Sequence, residues 1–423
     1  MKFAILNSVI MNGGDAGIVY GIRDAIKEIF PNAHVSIFAR QAREASVFYP
    51  DLGLFGMLQD TWTRQRVLAY GLRKSFPLRS ALCLMTPGET EFYERLRSMD
   101  AIIYCGGGYI NNLYSTEVLF RIIKDTLNMK ITHMAYAHSF GPFFDDRSRA
   151  VAASLLSRFD AITTRDEDSY KLLKKIGVTC KNIRFTADAA FAMQIATDDT
   201  LPAKDRAELK RIQAFKLSGS GAPLLFMSVR EWGFPGTGDS VSLNTKYRFE
   251  LRRFVERVIA ESDYRICFVS TCQGREGYPY DDSRFAATLF KELPSFTEDR
   301  VHICGHPFMP ASYPLLIGRC ADLVLSMRMH FIIFSIMAGV PFIAIAYEKK
   351  SQELARQVGV ESFCHEMSKL SADTLYKSFV DVREHLIDIR ATVESAFRLL
   401  RKRSFENAMV LMSVMPSVTS QEK

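Results

Sequence analysis

A chain of 423 residues, 48% hydrophobic and 24% charged, is longer than one hydrophobic core ordinarily serves and has the make-up of a folded globular protein, which excludes a disordered chain and points to two domains. Its formal charge of +7 suits negatively charged partners such as phosphorylated metabolites, anionic glycans or an acidic membrane surface. The basic residues are spread along the chain without a zinc finger or an RNP aromatic pair beside them, so nucleic acid is not an expected partner.

In chain order, KFAILNSVI at 2–10 reads as a first strand, because its apolar run is broken by Asn7 and passes straight into a Gly-rich turn, unlike a signal peptide. Helical periodicity over about Gly17 to Phe30 and the strand AHVSIFA follow. The segment Leu52 to Met85 departs from this pattern. With Trp62, Phe76, Arg64, Arg66, Arg73 and Arg79 it reads as an amphipathic insertion, or as a basic and aromatic surface for a lipid-linked or anionic acceptor at the inner face of a membrane. Strands expected at Ala101–Cys105, Ile131–Ala137, Ala161–Thr164 and Ile183–Phe185 complete a doubly wound domain over 1–197. The polar stretch 198–221 reads as a helix and flexible linker.

A second strand series, PLLFMSVR, YRICFVST, RVHICG, ADLVLS and PFIAIAY, repeats the architecture over 222–385. Residues 386–423 form a helical tail with an apolar stripe and the basic cluster RKRS at 401–404, able to pack back across the first domain. The longest apolar stretch, Phe331 to Tyr347, holds Gly339 and Pro341 in its middle and divides into a helix and a strand instead of a membrane span. The expected fold is therefore α/β, two Rossmann-like doubly wound domains with a cleft between them, in a cytoplasmic protein. The eight cysteines, Cys83, Cys105, Cys180, Cys267, Cys272, Cys304, Cys320 and Cys364, match neither a zinc site nor a compact disulfide framework and read as buried thiols.

Ligands of open α/β sheets bind beyond the carboxyl ends of the strands, so the strand exits are the places to inspect. Asn12-Gly13-Gly14-Asp15-Ala16-Gly17 leaves the first strand, either as a turn presenting backbone N–H groups to a ligand or as a tight βα turn with Asp15 as N-cap. Gly106-Gly107-Gly108, followed by Tyr109, is costly in conformational entropy for a purely structural turn and points to close approach of a ligand, with Asn112 beside it. His138 leaves a strand into a Gly-Pro turn, as a proton donor or as a cap on a loop carbonyl. In the second half, Arg230 leaves the strand PLLFMSV. Arg328 and His330 leave ADLVLS, two residues apart just before a helix, where a dianion or carboxylate would bind well.

Asp281-Asp282 sits in a polar loop and reads as turn chemistry. His302 and His306 are separated by Gly305, which, with Pro307 following, breaks the helix that would pair them as ligands. No P-loop, H-E-x-x-H motif or nucleophile elbow occurs. Neither a metal nor an organic cofactor is expected.

Taken together, NGGDAG at 12–17, GGG at 106–108, SFGPF at 139–143, TRDEDSYKLLKKIGV at 164–178, TADAAF at 186–191, SVREW at 228–232, SMRMH at 326–330 and GVPFIAI at 339–345 resemble the polysaccharide pyruvyltransferase family. The resemblance spans most of the chain. It implies the two-Rossmann arrangement called GT-B, a phosphoenolpyruvate donor bound through Arg230, Arg328 and His330 in the second domain, and a saccharide acceptor on the first domain, near Asn12, Gly14, Gly106, Gly107, Gly108 and Asn112. His138 stands where similar sequences commonly carry glutamine, and TADAAF lacks a proline often present there; both departures fall on the acceptor side.

Ketal formation needs an acid for the enol methylene, a base for two sugar hydroxyls, and cations for the departing phosphate. His330 or His138 are the candidates for proton transfer, with Asp15 or Asp188 facing acceptor hydroxyls. The acceptor could be lipid-linked, polymeric or a nucleotide-sugar. Two rival readings are a nucleotide-sugar glycosyltransferase of the same architecture and a non-catalytic component of a polysaccharide assembly complex.

Overall fold

A computed structural model describes residues 1–58, 87–112, 117–219, 221–234, 239–291, 293 and 299–416. Most of the basic and aromatic segment expected over Leu52 to Met85 lies outside the described residues. The chain folds as two compact units, Met1–Ile10 with Gly21–Ala189 and Arg403–Lys423, and Met11–Tyr20 with Ala190–Lys402.

The first unit is built on a parallel sheet. Its strands are β1 (Lys2–Ser8), β2 (His34–Ala39), β3 (Leu54–Gly56), β4 (Ala101–Tyr104), β5 (Gly107–Ile110), β6 (Thr132–Phe140), β7 (Ala161–Thr164) and β8 (Ile183–Phe185). They run in the order β3-β2-β1-β4-β6-β7-β8, with β5 paired to β6. Every residue of β4 and β7 is buried, as is all of β1 after Lys2, the continuous burial of a parallel sheet covered on both faces. The order reverses between β1 and β4, which register as Ala4 with Ile102 and Leu6 with Tyr104. Helix α1 (Gly13–Ile29) begins four residues before the expected Gly17, because the Asn12 side chain caps it, accepting from Gly14 N at 2.9 Å. Asn12, not Asp15, is the N-cap. Helices α2 (Ala42–Phe48), α3 (Pro87–Arg97), α4 (Glu117–Thr126), α5 (Asp146–Leu156) and α6 (Glu167–Lys175) complete this half.

The second unit repeats the plan with α7 (Ala203–Ser218), β9 (Leu224–Ser228), α8 (Ser240–Glu261), β10 (Arg265–Phe268), α9 (Asp282–Lys291), β11 (Val301–Ile303), α10 (Ser312–Cys320), β12 (Leu323–Ser326), α11 (Met329–Met337), β13 (Phe342–Ala346), α12 (Lys349–Val358), β14 (Cys364–Glu366) and α13 (Ala372–Glu384). Its parallel sheet has the order β11-β10-β9-β12-β13-β14. The reversal falls between β9 and β12, where Ser228 registers with Ser326. All nine residues of α11 are buried, as the apolar run after Arg328 anticipated.

Most of 198–221, read as a linker, is α7, which belongs to this unit. Its buried Asp205 accepts from Met309 N at 3.0 Å and pairs with His306 at 2.7 Å. The last helix, α14 (Leu386–Val414), passes out of the second unit at Arg403. Beyond that point its buried Ser404 and Asn407 bond the TADAAF segment: Ser404 Oγ donates to Asp188 O at 2.8 Å, and Thr186 Oγ1 donates to Asn407 Oδ1 at 2.7 Å. None of the seven described cysteines is in a disulfide, and six of them are buried. No described helix is long and apolar enough to cross a membrane.

Candidate active site

The reversal of strand order in the second unit puts Arg230 and Arg328 at neighbouring strand exits, the position where open α/β sheets bind ligands. Both exits are pinned. The Tyr247 hydroxyl, buried in α8, donates to Arg230 O at 2.9 Å and lies 2.7 Å from Met327 Sδ. Ser326 Oγ accepts from Arg328 N and donates to Arg328 O, both at 3.0 Å.

The two arginines differ in what surrounds them. Arg328 is buried, and the buried carboxylate of Asp282 takes its Nε at 2.8 Å and its Nη2 at 2.6 Å. Asp282 also accepts from Ser270 Oγ. Burial works against the charge on Arg328, and Asp282 more than offsets it, raising its pKa above the ordinary arginine value. The pair is a bidentate fork, and Nη1 has no partner among the described residues. Asp282 is therefore more than turn chemistry, although Asp281 does make a turn, accepting from Ser283 N at 3.0 Å and Ser283 Oγ at 2.6 Å.

Arg230 has no carboxylate partner among the described residues. Its guanidinium stands 5.2, 5.7 and 5.8 Å from the ring centres of Trp232, Tyr347 and Tyr280, and Trp232 and Tyr347 pack at 4.4 Å. Three aromatic faces hold the cation without neutralising it. Asp282 cancels the charge of Arg328, so the unopposed positive charge of these two belongs to Arg230. Beyond it opens a cavity of about 730 Å³ whose walls include Arg230, Arg248, Tyr278, Tyr280, Asp282 and Arg284.

His330 lies inside the first turn of α11 and not before it. Alternation by two, which would aim it with Arg328, therefore does not apply, since successive helical residues turn by about 100°. What it meets instead is the NGGDAG turn. A Cβ on Gly14 would come within 2.6 Å of His330 Cβ and 2.7 Å of Nδ1. On Gly13 a Cβ would strike the Arg275 guanidinium at 2.8 Å and Thr271 O at 2.9 Å. Gly13 N donates to Thr271 O at 2.9 Å, and Arg275 Nη1 donates to Met11 O at 3.1 Å. Asn12, Gly14 and Asp15, expected on the acceptor domain, thus fold with the second unit, Gly14 lying against His330. Burial raises the Tyr278 hydroxyl pKa, and the Asp15 carboxylate adds to the shift.

The first unit gathers SFGPF, TRDED and TADAAF into one network. Arg165 Nη1 donates to Asp188 Oδ2 at 2.6 Å, both side chains 5% exposed, and Arg165 Nε donates to Ser139 Oγ at 2.7 Å. Ser139 Oγ in turn donates to Asp166 Oδ2 at 2.6 Å, while Asp166 Oδ1 caps α6 through Ser169 N at 2.7 Å. Asp188 is therefore the counter-ion of a buried arginine and not an exposed base.

His138 is corrected likewise. Its Nε2 accepts from Ile110 N at 3.2 Å, which leaves Nδ1 to donate to Cys105 O at 3.1 Å. Burial drives its pKa down to about 3. Neutral and bonded at both nitrogens, it caps loop backbone and is no proton donor. Asn112 donates its N–H to Pro142 O at 2.9 Å and accepts from Phe144 N at 3.0 Å, clamping the Gly-Pro turn. Of the three glycines, Gly107 has φ +123°, a conformation that other residues rarely adopt, whereas a Cβ on Gly108 meets nothing within 4 Å.

Sequence reasoning missed Asp282 as the partner of Arg328, and Tyr280 and Tyr347 as walls around Arg230. A polar loop gives no local sign of which strand exit it will fold over, although an aromatic beside each strand exit, Trp232 and Tyr347, was a usable hint. Among the described residues no group of three or more potential metal ligands converges.

The polysaccharide pyruvyl transferase family profile matches residues 12–349. The chain is 24% identical over 306 residues to the amylovoran biosynthesis protein AmsJ of Erwinia amylovora, covering 72% of this chain and 71% of that one. Among solved structures, it resembles HepE of Anabaena in complex with UDP and glucose, at 13% identity and a TM-score of 0.59 over 99% of this chain and 100% of that chain. UDP-GlcNAc 2-epimerase of Neisseria meningitidis bound to UDP-GlcNAc gives 11% identity and a TM-score of 0.58 over 98% and 100% of the two chains. At such identities the structural likeness speaks for the fold, two Rossmann-like units of the GT-B type. The profile covers both arginine-bearing strand exits and the turn against His330, and on that match the chain belongs to the polysaccharide pyruvyl transferase family.

Proposed function

We propose that the protein transfers the pyruvyl group of phosphoenolpyruvate to two hydroxyls of a saccharide, forming a pyruvate ketal and releasing phosphate. The observation that carries this reading is Arg230, a cation with no carboxylate partner among the described residues, held between three rings beside Arg328 at the β9 and β12 exits. Phosphoenolpyruvate presents a phosphate and a carboxylate on a three-carbon enol and needs fixed guanidinium groups more than a deep pocket. Arg230 suits the phosphate, and Nη1 of Arg328 suits the carboxylate.

In the reaction, the enol methylene takes a proton, the carbon bearing the phosphate oxygen becomes electrophilic, and one sugar hydroxyl bonds to it, losing its proton to a base. The C–O bond to phosphate then breaks with its electron pair leaving on phosphate, and the second hydroxyl bonds to the same carbon, giving its proton to the departing phosphate as the ketal closes. His330 is the candidate for proton delivery and Asp15, on the turn that packs against it, the candidate base. Arg230 offsets charge as it gathers on the leaving phosphate. The similarity to AmsJ favours a saccharide acceptor from exopolysaccharide assembly.

Calorimetric titration of the purified protein with phosphoenolpyruvate and, separately, UDP tests the donor. Saturable phosphoenolpyruvate binding that collapses in Arg230→Ala is the expected result. Binding of UDP alone would replace the proposal with a nucleotide-sugar glycosyltransferase.

A further inference from the structure

The first sheet has its own reversal point, between β1 and β4, and the polar groups there are unusual. Asn7, at the end of β1, is 2% exposed and holds φ +63°, the left-handed region that asparagine enters more readily than most residues with a side chain. Its Oδ1 has no hydrogen-bond partner among the described residues. The next residue, Ser8, is fully buried, and its Oγ is equally without one. At the adjoining exit of β2, Arg40 donates its backbone N–H to Ser8 O at 3.0 Å, yet its buried Nε has no acceptor and no described carboxylate pairs with it. Beside them the β4 exit leads into Gly106, Gly107 and Gly108, with open space where a Cβ of Gly108 would stand.

Folding alone does not account for these features. A buried polar atom without a partner costs stability, and native proteins leave few of them. Here Asn7 and Ser8 end β1 and Arg40 follows β2, so an amide oxygen, a hydroxyl and a guanidinium group without a described carboxylate are carried by neighbouring strand exits, at the edge of the unit where α/β sheets take ligands. A guanidinium group with a hydroxyl and a glycine-rich turn is the chemistry that receives phosphate oxygens.

We propose that Asn7, Ser8 and Arg40 bind the phosphate of a glycosyl phosphate, the form in which the saccharide acceptor reaches the enzyme. The word acceptor rests on the pyruvyl-transfer reading; the binding site does not. Arg40 supplies the charge, Ser8 Oγ donates to a phosphate oxygen, and Asn7 takes a sugar hydroxyl with Oδ1. A nucleotide-linked and a lipid-linked sugar share this phosphate.

The test titrates the full chain with glucose 1-phosphate, UDP-glucose, glucose and phosphoenolpyruvate, in the parent and in Arg40→Met, Ser8→Ala and Arg328→Met. The expected result is that glucose 1-phosphate binds and glucose does not. Arg40→Met then weakens glucose 1-phosphate at least tenfold while leaving phosphoenolpyruvate within twofold. Ser8→Ala weakens binding and raises the melting temperature, because it removes a buried hydroxyl that nothing in the fold satisfies. UDP-glucose binding that also depends on Arg40 identifies the nucleotide-linked form; glucose 1-phosphate binding without it points to the lipid-linked form.

The proposal is overturned if glucose 1-phosphate binding survives Arg40→Met, if it is lost in Arg328→Met instead, if glucose binds as well as its phosphate, or if none of the sugars binds at millimolar concentration. Arg40-dependent binding of glucose 1-phosphate in a protein that does not bind phosphoenolpyruvate would keep this site and remove the pyruvyl-transfer reading.

Discussion

Replacing Arg328 leaves the Asp282 carboxylate, 6% exposed, without its counter-ion. Breaking a buried ion pair from one side costs about 3–5 kcal/mol, because the remaining charge keeps its desolvation penalty and loses its compensation. Arg328→Met should therefore destabilise the second unit by about that amount, a fall of about 6–20 °C in melting temperature for a unit of this size. Asp282→Leu should cost about the same. The double variant Arg328→Met/Asp282→Leu, with no charge left to bury, should recover most of the loss, giving a coupling energy of at least about 2 kcal/mol. Scanning calorimetry of the four proteins, with urea unfolding followed by circular dichroism, measures the cycle. Single variants within about 1 kcal/mol of the parent, or two losses that simply add, would refute the reasoning. Asp282→Asn adds a functional reading: it melts lower than the parent, yet binds phosphoenolpyruvate at least as tightly, since the carboxylate that neutralised Arg328 is gone.

Arg230→Ala should leave the melting temperature nearly unchanged, because no carboxylate is stranded, while weakening phosphoenolpyruvate binding by about 1.5–3 kcal/mol, roughly 10- to 150-fold by calorimetry. Gly14→Ala drives a methyl into His330, 2.6 Å away; a stability loss of about 1–3 kcal/mol and a larger proportional fall in turnover than in donor affinity are expected from melting and steady-state assays. His138 has a folded pKa near 3, below its value of about 6.5 in the unfolded chain, so the unfolded state binds more protons between those limits and stability is lost as pH falls through that window. Lowering the pH from 7 to 5 should cost the parent about 2 kcal/mol more than His138→Gln, read from urea midpoints at the two values. Arg165→Met, which strands Asp188, should destabilise by about 3–5 kcal/mol in the same unfolding assay.

The βα alternation, the division of Phe331 to Tyr347 into helix and strand, and the strand exits worth inspecting were all legible in the chain, because hydrophobic period and Gly/Pro punctuation act over a few residues. The short strands β3, β5 and β14 were not, since LFG, GGYI and CHE lack the β-branched run that marked a strand as short as β7. Arg230, Arg328 and His330 stood out from their neighbours alone.

The surroundings of each depend on partners distant in sequence. Asp282 lies 46 residues from Arg328, and its bidentate grip leaves Arg230 as the one of the two arginines without a carboxylate partner among the described residues. His138 reads as a strand-exit acid until Cys105 and Ile110 are seen to hold both its nitrogens. The NGGDAG turn, between the first strand and its helix, belongs by position to the first domain, yet it folds against Thr271, Arg275 and His330. Local pattern determines which residues sit at strand ends, because secondary structure depends on near neighbours. Whether a given side chain is neutralised, satisfied or left to meet a ligand depends on burial and charge pairing, and only tertiary packing decides those.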